Sequence, residues 1–181
     1  QITAGSTPED IPGEDIYPAV SDTDTVDGAI TSGVKVVMDN NVADNLVLGD
    51  RITTAVTTDT VDGAVTSGIK VVMDNNVATK MAVGDQITGN AYLDANIVTV
   101  AALDPDGDNA KEFSMTEAVA LADGNTLTFN SKLNYKGAAD AITVAALNPD
   151  EDNVKEFSMS SAVALRDGAT LYFRNRENYR W

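Results

Sequence analysis

The sequence predicts an all-β protein, made of small β-sandwich or barrel-like modules built from duplicated units in the order A1-A2-B1-B2. Three observations carry that prediction. The nonapeptide KVVMDNNVA occurs twice, at 35–43 and 70–78, and a second repeat joins TVAAL to KEFSM at 99–115 and again at 143–159. The apolar segments are short, rich in β-branched residues and bounded by turn-forming residues, as strands are. Asp-Gly pairs recur at 27–28, 62–63, 123–124 and 167–168, and their tolerance of positive φ suits tight turns.

Residues 1–24 stand apart. Pro8, Pro12 and Pro18 cannot join a central strand, and Glu9, Asp10, Glu14, Asp15, Asp22 and Asp24 are accompanied by no basic residue. We read this segment as an acidic linker, with an extended arm on a neighbouring subunit as the alternative. Unit A1 (25–59) and unit A2 (60–94) align without gaps over 25–53 and 60–88, at an offset of 35 residues. In each, VKVVM or IKVVM reads as a strand and MDNN as a turn whose side chains bond the local backbone. GDRIT and GDQIT read as a turn leading into a further strand.

Unit B1 (95–137) aligns with unit B2 (138–181) at an offset of 44 residues. Residues 97–103 read as a strand, DPDGDN (104–109) as a polar turn and KEFSM (111–115) as the returning strand. The sequence AVALADGNTLTF (118–129) predicts a hairpin about Asp123 and Gly124. A helix over 115–122 competes, because SMTE forms a capping box, but SMSS in B2 lacks the glutamate. A single unit of two or three strands cannot bury a two-sided core, so units must combine. A2 with B1 would make one module and A1 with B2 a second, discontinuous one. All four could instead form one pseudo-two-fold sandwich, or A1 and B2 could pair with other chains.

The net charge of −16 and pI near 4.1 exclude phosphate-contact binding to nucleic acid, which needs clustered Lys and Arg. They also oppose docking on anionic lipid and fit a saline or extracellular setting. With no Cys and no His, the chain lacks a disulfide framework, a thiolate and the commonest general base and zinc ligand. We therefore expect no enzyme. No apolar run approaches the ~20 residues of a transmembrane helix, so membrane insertion is not expected. The opening QITAG matches GDQITGN at 84–90, which predicts that the chain is a processed or partial piece of a longer polypeptide.

Two groups of residues are candidates for function. Asp104, Asp106 and Asp108 alternate like the first ligands of a calcium loop, although Asn109 and Met115 stand where an EF-hand needs Gly and Glu. A solvated turn explains the same residues, so no cofactor is expected beyond this calcium option. The other group is C-terminal. Four of the five arginines lie at Arg166, Arg174, Arg176 and Arg180, beside Tyr172, Tyr179 and Trp181. These residue types dominate protein interfaces, and a basic, aromatic end on an acidic chain could dock on an acidic neighbour.

VGDQITGN (83–90) combined with TVAAL, FSM and AVALADGNTLTF, and followed by NYRW (178–181), resembles the Gly- and Thr-rich β repeats of structural proteins of tailed bacteriophages. The virion proteins of marine cyanobacterial myophages are the nearest in style. The resemblance covers 25–181; the usual alternation of A with B is replaced here by doubled A and doubled B. It implies a virion component: a tail fibre, baseplate fibre or capsid decoration. The partners it implies are other copies of the chain and other virion proteins, in a homo-oligomer, with a trimer by analogy to fibres. The rival expectation is an extracellular adhesin or module binding host-surface glycan, with calcium as a possible requirement. A carboxylate-based hydrolase on a fibre is a third.

Overall fold

The computed structural model describes residues 22–44, 46–135 and 141–174. Twelve short strands alternate with turns: β1 (Asp22–Thr25), β2 (Lys35–Val37), β3 (Arg51–Thr54), β4 (Thr57–Thr60), β5 (Lys70–Val72), β6 (Gln86–Thr88), β7 (Val100–Leu103), β8 (Glu112–Met115), β9 (Thr126–Asn130), β10 (Val144–Leu147), β11 (Glu156–Met159) and β12 (Thr170–Arg174). Two helical turns, α1 (Ala91–Ala95) and α2 (Lys132–Tyr135), and two 3-10 turns, Val42–Asp44 and Val77–Thr79, complete the described elements. The protein is all-β in class.

The strands form four antiparallel sheets of three, in the orders β1-β12-β3, β10-β11-β2, β4-β9-β6 and β5-β8-β7. The first two sheets enclose one core and the last two enclose another. Residues 22–54 thus pair with 144–174, and residues 57–88 with 100–130. In each core the central strands of the facing sheets meet through an edge-to-face phenylalanine pair. Phe157 and Phe173 have ring centroids 5.7 Å apart, as do Phe113 and Phe129. All four rings are fully buried, so the pairs add about 1 kcal/mol each to what their area already contributes.

Alternation explains the strands. Along β9 and β12, Leu127 and Phe129, and Leu171 and Phe173, point inward while their neighbours are partly exposed. In β7 and β10 the register slips between Val100 and Ala102 and between Val144 and Ala146. The bulge puts Ala101 and Ala145 outside and tightens the local twist.

One expected element is different. The strand at 126–130 does not fold back on 118–121. It pairs with β4 and β6, while Leu121 makes a single bridge to Val65 and Leu165 a matching one to Ile30. Gly124 and Gly168 do turn the chain with positive φ, 76° and 68°, but they join strands of different pairings. Residues 116–122 are also not helical.

The MDNN repeat ties its core together. Asn41 and Asn76 cap the following 3-10 turn, their side chains accepting the Ala43 and Ala78 amides at 3.0 Å. Asn40 donates its side-chain amide to buried Asp24 at 2.8 Å, and Asn75 to Asp59 at 2.7 Å. Met38, Val42, Met73 and Val77 on either side are core residues. The expected local bonding therefore holds for the second Asn, while the first reaches an aspartate sixteen positions earlier in sequence.

Each core is also plugged by a leucine from a helical turn. Leu93 of α1 closes the second core, where α1 follows β6. Leu133 of α2 closes the first core, although α2 follows β9 of the second. Asn134 holds α2 in place, accepting the Thr54 amide at 2.9 Å and donating to the Thr54 carbonyl at 2.8 Å. At the corresponding place in the second core, Asp94 accepts the Gly89 amide at 2.9 Å.

Candidate functional site

The turn 104–109 is occupied with its own closure. Asp104 sits at φ 43° and its side chain accepts the Asn109 amide at 3.0 Å. The carboxylate of Asp106 is paired with Lys70, and Asp108 is exposed. The three aspartates suggested by their spacing do not converge. Among the described residues, the three carboxylates whose oxygens lie within 4.8 Å of one another are Asp150, Asp152 and Glu156, in the other copy of this turn. Lys35 pairs with Asp150 there and lies 3.7 Å from Glu156, so a cation already meets the group. Glu156 lies on β11, beyond the turn, and its counterpart Glu112 on β8 lies 3.5 Å from Lys70.

The C-terminal candidates divide among separate places. Tyr172 and Arg174 lie on the outward face of β12, with Thr53 and Arg51 as their register partners on β3. Arg176, Tyr179, Arg180 and Trp181 lie outside the described residues. Arg166 is elsewhere: it precedes the Asp167-Gly168 turn and faces the junction between the two cores.

That junction is the most organised surface feature. A cavity of about 20 Å³ is lined from the first core by Thr54, Leu165 and Arg166 and from the second by Lys80, Ala82 and Asp85. A neighbouring apolar cavity of about 70 Å³ lies between Ile30, Ala164 and Leu165 on one side and Met81, Val83 and Leu103 on the other. Asp85 closes its own turn, accepting the Ala82 amide at 2.8 Å. Burial pushes its carboxyl up from 3.8 to about 6, against the opposing pull of the Ala82 amide and the Arg166 guanidinium.

Chemically the junction offers one buried acid and a nearby arginine, beside cavities of about 20 and 70 Å³. Small-molecule sites occupy ~300 Å³ or more, so these cavities are packing gaps between modules. Sequence reasoning found Arg166 as one of the C-terminal arginines; in the sister repeat its place is held by Ala122. It missed Asp85, because Asp50 is the same residue in the sister repeat and only the fold tells the two apart.

No described helix is long and apolar enough to cross a membrane. No family model, curated protein or solved structure matches the chain.

Proposed function

We propose that this chain is a non-enzymatic structural protein of a phage virion, in a tail fibre, a baseplate fibre or on the capsid surface. It works by self-association and by attachment to other virion proteins, outside the cell, without nucleic acid and without insertion into a membrane. The observation that supports this most is how the repeats are spent. Each is used to build sandwich-like cores, and the cores meet along a partly apolar, partly charged surface with only small packing gaps between them. The composition agrees: without His or Cys, the chemistry left is that of carboxylates, and the junction acid is engaged in a turn. A surface of net charge −16 keeps such particles dispersed. The likeness of the repeat motifs to tailed-phage β repeats adds the virion setting.

The test is location. Antibody raised against the chain, applied to purified particles of a phage that encodes it, should label the tail or capsid in the electron microscope. The chain should also be found in those particles by mass spectrometry. Particles that contain no trace of the chain, with label on bacterial surfaces instead, would overturn the reading in favour of an adhesin.

A further inference from the structure

The contact between the two cores joins unlike surfaces of two like modules. The first core presents the surface around Ile30, Ala164, Leu165 and Arg166; the second presents the surface around Met81, Ala82, Val83 and Leu103. The repeat offsets give each surface a counterpart on the other core. Val65, Ala120, Leu121 and Ala122 of the second core correspond to the first surface. Leu46, Val47, Leu48 and Leu147 of the first core correspond to the second.

Part of each counterpart faces outward. Val47 is 49% exposed and Leu48 61%, whereas Ala82 and Val83, which hold the same places at the internal junction, are 6% and 42% exposed; Leu46 and Leu121 stay in their own cores. Ala120 and Ala122 are exposed, while their counterparts Ala164 and Arg166 are partly covered. The chain therefore displays, one on each core, exposed residues matching both halves of a junction that it already makes once internally.

We propose that a second copy of this chain docks on these surfaces. The Val47–Leu48 turn of one copy meets the surface around Val65, Ala120 and Ala122 of the next, repeating the internal junction. The contact is heterologous, so unless the rotation closes a ring it propagates copies head to tail into a filament. It rests on the self-association part of the proposed function, and on no other part. The internal junction identifies the occupant, because the surface complementary to each exposed one is present on the same chain.

One difference weakens the external junction relative to the internal one. Arg166 acts on Asp85 across the internal junction. Ala122 stands in its place on the free surface, facing the side that carries Asp50, so the charge attraction has no external equivalent.

Sedimentation velocity and light scattering of the full chain over a wide concentration range test the proposal. The wild type should grow in mass beyond a dimer as concentration rises. Leu48→Lys blocks one surface and Ala122→Asp the other, so each variant alone should remain a monomer. Mixed in equal amounts they should form a dimer and stop there, since each lends the surface that the other lacks. That mixture also shows that both variants are folded. Ala122→Arg should tighten assembly by about two- to fivefold, as an exposed ion pair does. A wild type that stays monomeric at every concentration would overturn the proposal. So would association that neither variant disturbs, which would leave self-association standing through some other surface. A filament formed as described by a chain missing from virions would uphold the inference and sink the virion reading.

Discussion

The two cores were given nearly the same sequence and the same strand pairings, but they differ in how each is finished. The second core is closed by the segment that follows its own strand β6: Asn90 caps α1 by accepting the Leu93 amide at 2.8 Å, and Leu93 fills the interior. The first core has no such segment, because β3 runs within a few residues into β4. It takes Leu133 from the chain leaving β9 instead. Gly89 and Thr54 mark the same contrast. At Gly89 a β-carbon would come 2.4 Å from the Thr126 carbonyl oxygen. At the corresponding Thr54, a hydroxyl donates to the Thr170 carbonyl at 2.8 Å. Duplication conserves the interior, and individuality accumulates where the modules must be joined.

The largest effects should come from breaking that shared interior. Phe129→Ala and Phe173→Ala each remove half of an edge-to-face pair and open a cavity, at a cost of about 3–5 kcal/mol. Denaturant unfolding followed by amide exchange should show each loss concentrated in its own core. Equal loss of protection in both cores from either substitution would contradict the division into two interiors.

Leu133→Ala separates sequence neighbourhood from packing. It should cost about 2–5 kcal/mol, and the protection lost should be that of β3 and β12 rather than of the adjacent β9. Leu93→Ala should do the same to the second core. Loss centred on β9 in the Leu133 variant would show that α2 belongs with the strand it follows.

The smallest effect sharpens the junction. Burial raises the Asp85 carboxyl to about 6, above its unfolded value near 3.8. The protonated form is therefore the one favoured by folding. The stability it contributes is complete below pH ~3.8 and is lost as pH rises through about 6. Asp85→Asn stays neutral, so its stability relative to wild type should climb across that window by up to ~3 kcal/mol and then level off. Urea melts at intervals of pH measure this directly. A difference that does not change with pH would mean that folding leaves the pKa of this carboxyl unshifted.

Much of this architecture is legible in the sequence, for local reasons. Val36, Met38, Phe113 and Phe157 sit in short apolar runs whose alternation states which side is buried, and their repetition shows that the arrangement occurs twice. The Asp-Gly turns are equally plain. The partner of a strand is less so: AVAL before Asp123-Gly124 and TLTF after it carry the signal of a hairpin, yet Leu121 bridges Val65 and Leu127 lies opposite Asp59. Nothing local distinguishes a turn within a hairpin from a turn between sheets. The helical turns α1 and α2, of five and four residues, are too short to show a helical period. The junction was visible only as the odd substitution of Arg166 for Ala122, since the environment of Asp85 is set by residues far away in sequence.

The interleaving of the two cores has a temporal consequence. The strands of the second core lie within one uninterrupted stretch, 57–130, so it can collapse as soon as that stretch has left the ribosome. The first core needs β1, β2 and β3 to wait until β12 has been made, with the whole of the other core in between. While the intervening stretch is unfolded, the ends to be joined are separated by a long floppy loop. Once it has folded, β4 and α2 hold the two ends near each other and most of that closure entropy has already been met. The inserted core thus acts as a clamp for assembly of the outer one, and the waiting strands β1 to β3 are the part of a newly made chain most open to pairing with a neighbour.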